Sequence, residues 1–441
     1  MKTLFAIFAF LSLSAPAMAA MAPMPPHAPR SAAIARPPVP DELSLDALID
    51  RALKQVPSLQ AAAQTAVGNR ERIGVARSNY LPQVNGTASA DATTFVTPAF
   101  TVSAPILYAA AGASAHQELF NFGKTDAQVA AARATYDASR YGVDQTAADV
   151  AFNVRQVYMN WVQALGLLAE SQEQFRNAQA LYDQALAFFK AGTKARYDVT
   201  AADVAVKQAQ SALVSARVTL EQAKRSMETA VGDRAPIVGT PGFPPVPRIA
   251  AMTLPTLQSM AFAQNPTLLA DTARATAAKA NADVIKASEL PDLAADGSVG
   301  GRYAQNGLTP TWMAGLSLGV PLFTGFSLQD QAAAADADYR AALATVENDR
   351  QQVNLAVDNA YLGLTGARDA MIATHAEIGS AKENLRQANG RYQAGVGSII
   401  DVSSAQTALA TAEADDVRAR TSYHLAIAAL IHAIGLARTG P

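Results

Sequence analysis

Apolar residues recur along this chain with two different periods, and the two kinds of segment alternate. From Gln83, Val84, Gly86, Ala88 and Ala90 interleave with Asn85, Thr87, Ser89 and Asp91. From Gly315 the contrast is sharper: Leu316, Leu318, Val320 and Leu322 point one way, Ser317 and Gly319 the other. Period-two alternation predicts strands. Strands are therefore expected at about 83–119 and about 292–323. Between the second pair, the polar run Arg302 to Trp312 contains Asn306-Gly307, which suits a tight turn. Near Ala109 to Leu119 the pattern is weak, and a strand is placed there by analogy with the other half.

Elsewhere the period is helical. No proline occurs between Pro105 and Pro236, or between Pro321 and Pro441. Proline is penalised inside helices, so both runs can be nearly all helix. A glycine breaks each run, Gly192 in the first and Gly395 in the second. Helices are expected from about Gly123 to Lys190, Tyr197 to Val231, Gln329 to Gln393 and Ile399 to Ile434. A helix of some 65 residues is roughly 100 Å long, too long for a compact domain. Val150, Val154, Val157 and Trp161 mark one packing stripe, without clean heptads.

The two halves are copies of one unit. Leu45, Leu48, Ala52, Pro57, Leu59 and Pro82 recur 209 residues later as Leu254, Leu257, Ala261, Pro266, Leu268 and Pro291. Further on the offset is 203: Leu119-Phe120 meets Leu322-Phe323, Val154 meets Val357, Tyr158 meets Tyr361, and Gly232 meets Gly435. The first copy therefore carries six extra residues between Pro82 and Leu119, where a loop tip absorbs them. Each copy reads helix, helix, strand, strand, long helix, long helix. The expected divisions are repeat 1 at 43–235, a linker at 236–253, repeat 2 at 254–436 and a tail at 437–441.

Composition sharpens this picture. About a fifth of the residues are Ala, which favours long helices packed closely. A net charge of −2 gives no footprint for nucleic acid. With no cysteine, disulfides, thiolate metal sites and a Cys nucleophile are excluded. Lys2, an apolar run from Leu4 to Leu13 and Ala17-Met18-Ala19 read as a cleaved signal peptide, residues 1–19. A Pro/Ala-rich leader follows at 20–42. No later stretch could span a membrane as a helix, so any membrane segment must be made of strands. Four strands cannot close a barrel, whose smallest usual form has about eight. Several chains would have to share one.

Taken in order, and twice, these features resemble a TolC-type outer-membrane efflux protein, the outer membrane factor family. The match runs from about Leu45 to Gly435. It rests on the signal peptide, the duplication, Pro82 and Pro291, the "LFNFG" and "LFTGF" segments, and Tyr392, Gly395, Asp401 and Val402. The resemblance implies a homotrimer with a 12-stranded outer-membrane barrel continuing into a periplasmic α-helical tunnel. It implies docking to a periplasmic membrane-fusion adaptor and an inner-membrane pump of RND, ABC or MFS type. It implies a passive conduit with no cofactor. Many relatives carry a lipidated N-terminal Cys; without Cys, that anchor is not expected here. The runner-up, a periplasmic coiled-coil adaptor or scaffold, would lack paired strands with an apolar face.

By position, the resemblance also places a periplasmic gate. Asp401 would form a carboxylate ring on the three-fold axis, which favours cations. Asp198, Tyr392 and Arg420 would supply closing links: an Arg420–Asp198 ion pair and a hydrogen bond from Tyr392. Gly192 and Gly395 would mark the hairpin turns. Two positions depart from the family pattern, Ser404 for a second ring aspartate and Gly397 for an arginine. Lys194 and Arg196 could take over part of that role. Asp401 also suits a plain capping box with Ser398, and Arg420 an ordinary surface ion pair. Trp161 reads as packing and Trp312 as a membrane-interface aromatic. His116, His375, His424 and His432 are too scattered for a metal site, and no catalytic grouping is present, so an enzyme is not expected.

Overall fold

A computed structural model describes residues 44–93, 106–232, 237–304 and 307–438. The predicted signal peptide and leader lie outside the described residues. So do the connection at 94–105, part of the Pro82–Leu119 span in which the insertion is expected, and Asn306 of the expected turn.

Two short helices, α1 (Leu45–Gln55) and α2 (Pro57–Arg77), lead into strands β1 (Gln83–Thr93) and β2 (Ile106–Phe120). Two long helices follow, α3 (Lys124–Lys190) and α4 (Arg196–Val231). The order then recurs: α5 (Leu254–Gln264), α6 (Pro266–Ala287), β3 (Asp292–Ala304), β4 (Gly307–Gly319), α7 (Ser327–Gln393) and α8 (Ile399–Ile434). Corresponding long helices have equal lengths, 67 residues for α3 and α7 and 36 for α4 and α8. Pro57 and Pro266 open α2 and α6, where a missing N–H costs nothing. Asn265 caps α6 by accepting from the Thr267 and Leu268 amides at 3.0 and 3.4 Å.

The weakly patterned strand is present and is the longest, at 15 residues. The last strand is shorter than expected. It stops at Gly319, so Val320 and Leu322 lie beyond it. Pro321 stands where the first copy has Glu118; without an N–H it cannot extend a ladder.

The four strands form one antiparallel sheet in the order β1-β2-β3-β4. Its register aligns the alternation of every strand into two coherent faces. Val84, Ala88 and Ala90 on β1 share a face with Ala109, Ala111, Ala113 and Ala115 on β2. That face continues through Val299 and Leu293 on β3 to Trp312, Leu316 and Leu318 on β4. The opposite face holds Asn85, Thr87, Asp91, Ser114, His116, Asp296, Arg302 and Ser317. There His116 Nδ1 lies 2.7 Å from Asp296, which also accepts from the Ser317 hydroxyl at 2.6 Å. The apolar face is uncovered: Trp312 is 81% exposed and Leu316 71%.

The helices bury two matching cores. Leu48, Ile49 and Ala52 of α1 pack on Val150, Val154, Tyr158 and Trp161 of α3 and on Met227 and Val231 of α4. Leu257 and Ala261 of α5 pack likewise on Val353, Val357 and Leu364 of α7 and on Ile431 and Ile434 of α8. Trp161 is thus a packing residue. The linker is held to the first core by Tyr158, whose hydroxyl donates to the Gly242 carbonyl at 2.9 Å. Helices α4 and α8 each end at a left-handed glycine, Gly232 (φ 74) and Gly435 (φ 92). A Cβ on Gly435 would overlap the Pro266 ring, whereas at Gly232 the nearest atom is 3.3 Å away. Gly435→Ala is therefore expected to destabilise by about 2 kcal/mol or more, and Gly232→Ala by about 1, because the Gln55 backbone beside it has to give only slightly. Paired thermal melts check the order; equal losses would contradict it.

Candidate functional site

Both long-helix hairpins turn at the same end of the molecule, where their tips share an apolar cluster. Leu181 and Ala185 of α3 and Ala202 of α4 meet Ala388 and Tyr392 of α7 and Ile399, Val402 and Ala405 of α8. Each turn closes in the same way. In the first, the Gly192 amide (φ 73) donates to Phe189 O at 2.9 Å and the Thr193 amide to Phe188 O at 3.0 Å. In the second, the Gly395 amide (φ 81) donates to Tyr392 O at 3.1 Å and the Val396 amide to Arg391 O at 3.0 Å. These paired bonds satisfy the last carbonyls of each helix and need a left-handed residue at the glycine.

Tyr392 and Asp198 come together. The buried Tyr392 hydroxyl donates to Asp198 Oδ2 at 3.1 Å, joining the second hairpin to the first. Burial, then the neighbouring Asp198 carboxylate, push the phenol up to about 12. Lys194, in the first turn, sets its ammonium 4.7 Å from the centre of the Tyr392 ring. The Phe188 ring lies 5.8 Å from it.

Arg420 does not join this group. Its guanidinium donates to Asp416 on its own helix at 2.8 Å, and His375 Nδ1 is 3.4 Å from it. The expected Arg420–Asp198 pair is absent for a geometric reason. Nineteen residues of helix separate Arg420 from Asp401, roughly 28 Å along the axis. Asp416, nearly buried, needs a cation of its own; loss of Arg420 would leave a buried carboxylate uncompensated. Asp401 sits exposed at the hairpin tip and does cap α8. It accepts from the Ser398 amide at 3.2 Å while the Ser398 hydroxyl accepts from the Ile400 amide at 3.1 Å.

A second polar feature lies between the hairpins, away from the tips. Glu170 of α3, Glu413 of α8, Gln208 and Gln406 line a recess. Burial, reinforced by the Glu413 carboxylate beside it, raises the Glu170 carboxyl above its ordinary range. Lys382 lies 3.5 Å from Glu413. Neither glutamate was singled out in the sequence. The signal available was the mismatch between copies, since the equivalents are the uncharged Ala373 and Gln210. Among the described residues no cluster of His, Asp or Glu could hold a metal ion, and no helix is long and apolar enough to cross a membrane.

An uncovered sheet with one mainly apolar face, above two long hairpins, has counterparts among known proteins. The outer membrane efflux protein family matches residues 48–233 and again 257–436, once per copy. The chain belongs to that family. It is an outer-membrane channel-tunnel for efflux or secretion. Protein CyaE of Bordetella pertussis is 26% identical over 377 residues, which cover 83% of this chain and 78% of that protein. The outer membrane efflux protein BepC of Brucella suis is 26% identical over 378 residues, covering 83% and 79%. The open-state MtrE outer membrane channel of Neisseria gonorrhoeae superposes with a TM-score of 0.75 at 22% identity, covering 89% of each chain. That last likeness is one of fold.

The raised Tyr392 phenol gives the tip of this efflux-family channel a pH signature. A group whose pKa is higher when folded contributes stability below its unfolded value near 10, and that stability is lost as pH rises through about 12. The difference in tyrosinate absorbance between wild type and Tyr392→Phe should show one phenol titrating about two pH units late. A difference centred near pH 10 would contradict the buried, Asp198-bonded geometry.

Proposed function

We propose that three copies of this chain share one 12-stranded barrel in the outer membrane, with their hairpins forming a periplasmic tunnel that ends at the Gly192 and Gly395 turns. The observation that carries this reading is the sheet: four strands, one apolar face, and outer edges at β1 and β4 that no other described strand pairs. In lipid an edge must be paired, and four strands cannot pair their own. Trp312, exposed on the apolar face, fits the aromatic belt of a lipid interface. The chain would be exported by a cleaved signal peptide, without a lipid anchor. It would work as a passive conduit with a periplasmic membrane-fusion adaptor and an inner-membrane pump.

In this reading the hairpin tips are the gate. Tyr392 and Asp198 link one hairpin to the other, and separating the tips would break that bond. Three-fold symmetry would gather three Asp401 carboxylates around the axis, as a cation-selective constriction that trivalent cations block. Capping and pore roles are compatible, because the carboxylate has two oxygens and only one accepts from Ser398.

The test is conductance of the purified protein in a planar bilayer. Discrete steps are expected, as is block by a trivalent cation from the periplasmic side. Asp401→Asn keeps an acceptor for the Ser398 amide and removes the charge, so block should weaken on the order of tenfold. Unchanged block would remove Asp401 from the pore. A channel with no steps, even after Tyr392→Leu, would contradict the conduit itself.

A further inference from the structure

The two copies provide an internal control for what each turn residue does. At an offset of 203, Tyr392 corresponds to Phe189, Asp401 to Asp198, and Gly397 to Lys194. Packing makes both turns alike, so differences at these positions reflect something other than closing a hairpin.

Gly397 holds its place by close approach. A Cβ there would stand 2.9 Å from both the Arg391 carbonyl carbon and the Tyr392 nitrogen, and its own amide donates to Arg391 O at 2.9 Å. The second turn therefore has no room for a side chain at the point nearest Tyr392. The first turn has a lysine at the same point. Its ammonium reaches across to the Tyr392 ring face, a favoured position for a cation against an aromatic quadrupole. Tyr392 is thus gripped twice by one turn, at the ring by Lys194 and at the hydroxyl by Asp198. The grip runs one way only. The counterpart phenylalanine, Phe189, is 40% exposed and has no hydroxyl to offer Asp401.

We propose that Lys194 is a positioning residue of the closed gate: its ammonium, over the Tyr392 ring, holds the phenol in register with Asp198 across the two hairpins. The proposal rests on the reading of the hairpin tips as the gate. It assigns the closing cation to Lys194 of the first turn, not to Arg420, which belongs to Asp416. A cation on an aromatic face shifts an equilibrium by roughly 2- to 30-fold, the range between exposed and desolvated sites. That is enough to alter the fraction of time a channel spends open.

The experiment is a mutant cycle read as the open fraction of single channels, in oligomers of equal detergent yield. Lys194→Met keeps most of the length of the side chain and removes the charge; the open fraction should rise several-fold. Lys194→Arg keeps a cation and should stay near wild type. In a Tyr392→Phe background, which keeps the ring but has no hydroxyl to position on Asp198, Lys194→Met should act less than it does beside Tyr392. In a Tyr392→Leu background it should add nothing. If Tyr392→Leu opens the channel but Lys194→Met is silent, Lys194 has no part in closure and the gate reading stands. An undiminished effect of Lys194→Met beside Tyr392→Leu would show that the lysine acts elsewhere, and would overturn the proposal. If Tyr392→Leu itself changes nothing, the gate reading fails and the proposal with it.

Discussion

Everything above the helices in this protein depends on the backbone hydrogen bonds at the two edges of its sheet. Inside the sheet every strand pairs, β1 with β2, β2 with β3 and β3 with β4. The outer edges of β1 and β4 pair with no other strand among the described residues. In water such edges are satisfied by solvent. In hydrocarbon each unpaired group costs several kcal/mol, and the 13 residues of β4 would put the total on the order of tens of kcal/mol. The apolar face, with Leu316, Leu318 and Trp312, belongs in hydrocarbon for the opposite reason: leaving it in water forfeits its burial. The proposed pairing of β1 of one chain with β4 of another meets the two demands together.

The helices carry the same logic into water. Helices α3 and α7 have equal length and equivalent positions, yet α3 buries eighteen residues and α7 seven. The difference is one of neighbours. Helix α3 lies between α1, α2, α4, α6 and α8, whereas α7 packs on α5, α6 and α8. Leu355, Leu362 and Ile372 on α7, with Val204, Val214 and Val218 on α4, are left exposed. Small residues such as Ala131, Ala134, Ala273 and Ala277, buried on α3 and α6, let long helices approach closely without knobs of Leu. A wall built from copies of this chain would cover α4 and α7 in the way that α3 is covered within it.

Much of this was legible in the sequence, and the reasons are local. Proline-free runs and two glycines set the long helices to within a few residues: Gly123 was expected to start α3, and Lys124 does. Strand β2 was faint because its two faces are Ala109, Ala111 and Ala113 against Ala110, Gly112 and Ser114, a contrast too small for hydropathy to register. Its partners β1 and β3 define it through the register. Arg420 was misplaced because positional likeness to a family ignores local competitors. Asp416, four residues earlier on the same helix, was in plain view as a partner. Lys194 over Tyr392 needed coordinates, since the contact joins residues from different hairpins.

The chain has no cysteine, so engineered disulfides would form on a silent background. The most direct measurement places one cysteine at Thr87, on the free edge strand β1, and scans a second along β4 from Leu308 to Leu318 in outer-membrane fractions. If sheets from neighbouring chains complete one another, oxidation should yield a ladder of dimers and trimers that stops at three, at one or two adjacent register positions. Cross-links confined to single chains, absent at every position, or continuing past three would contradict a barrel shared by three copies.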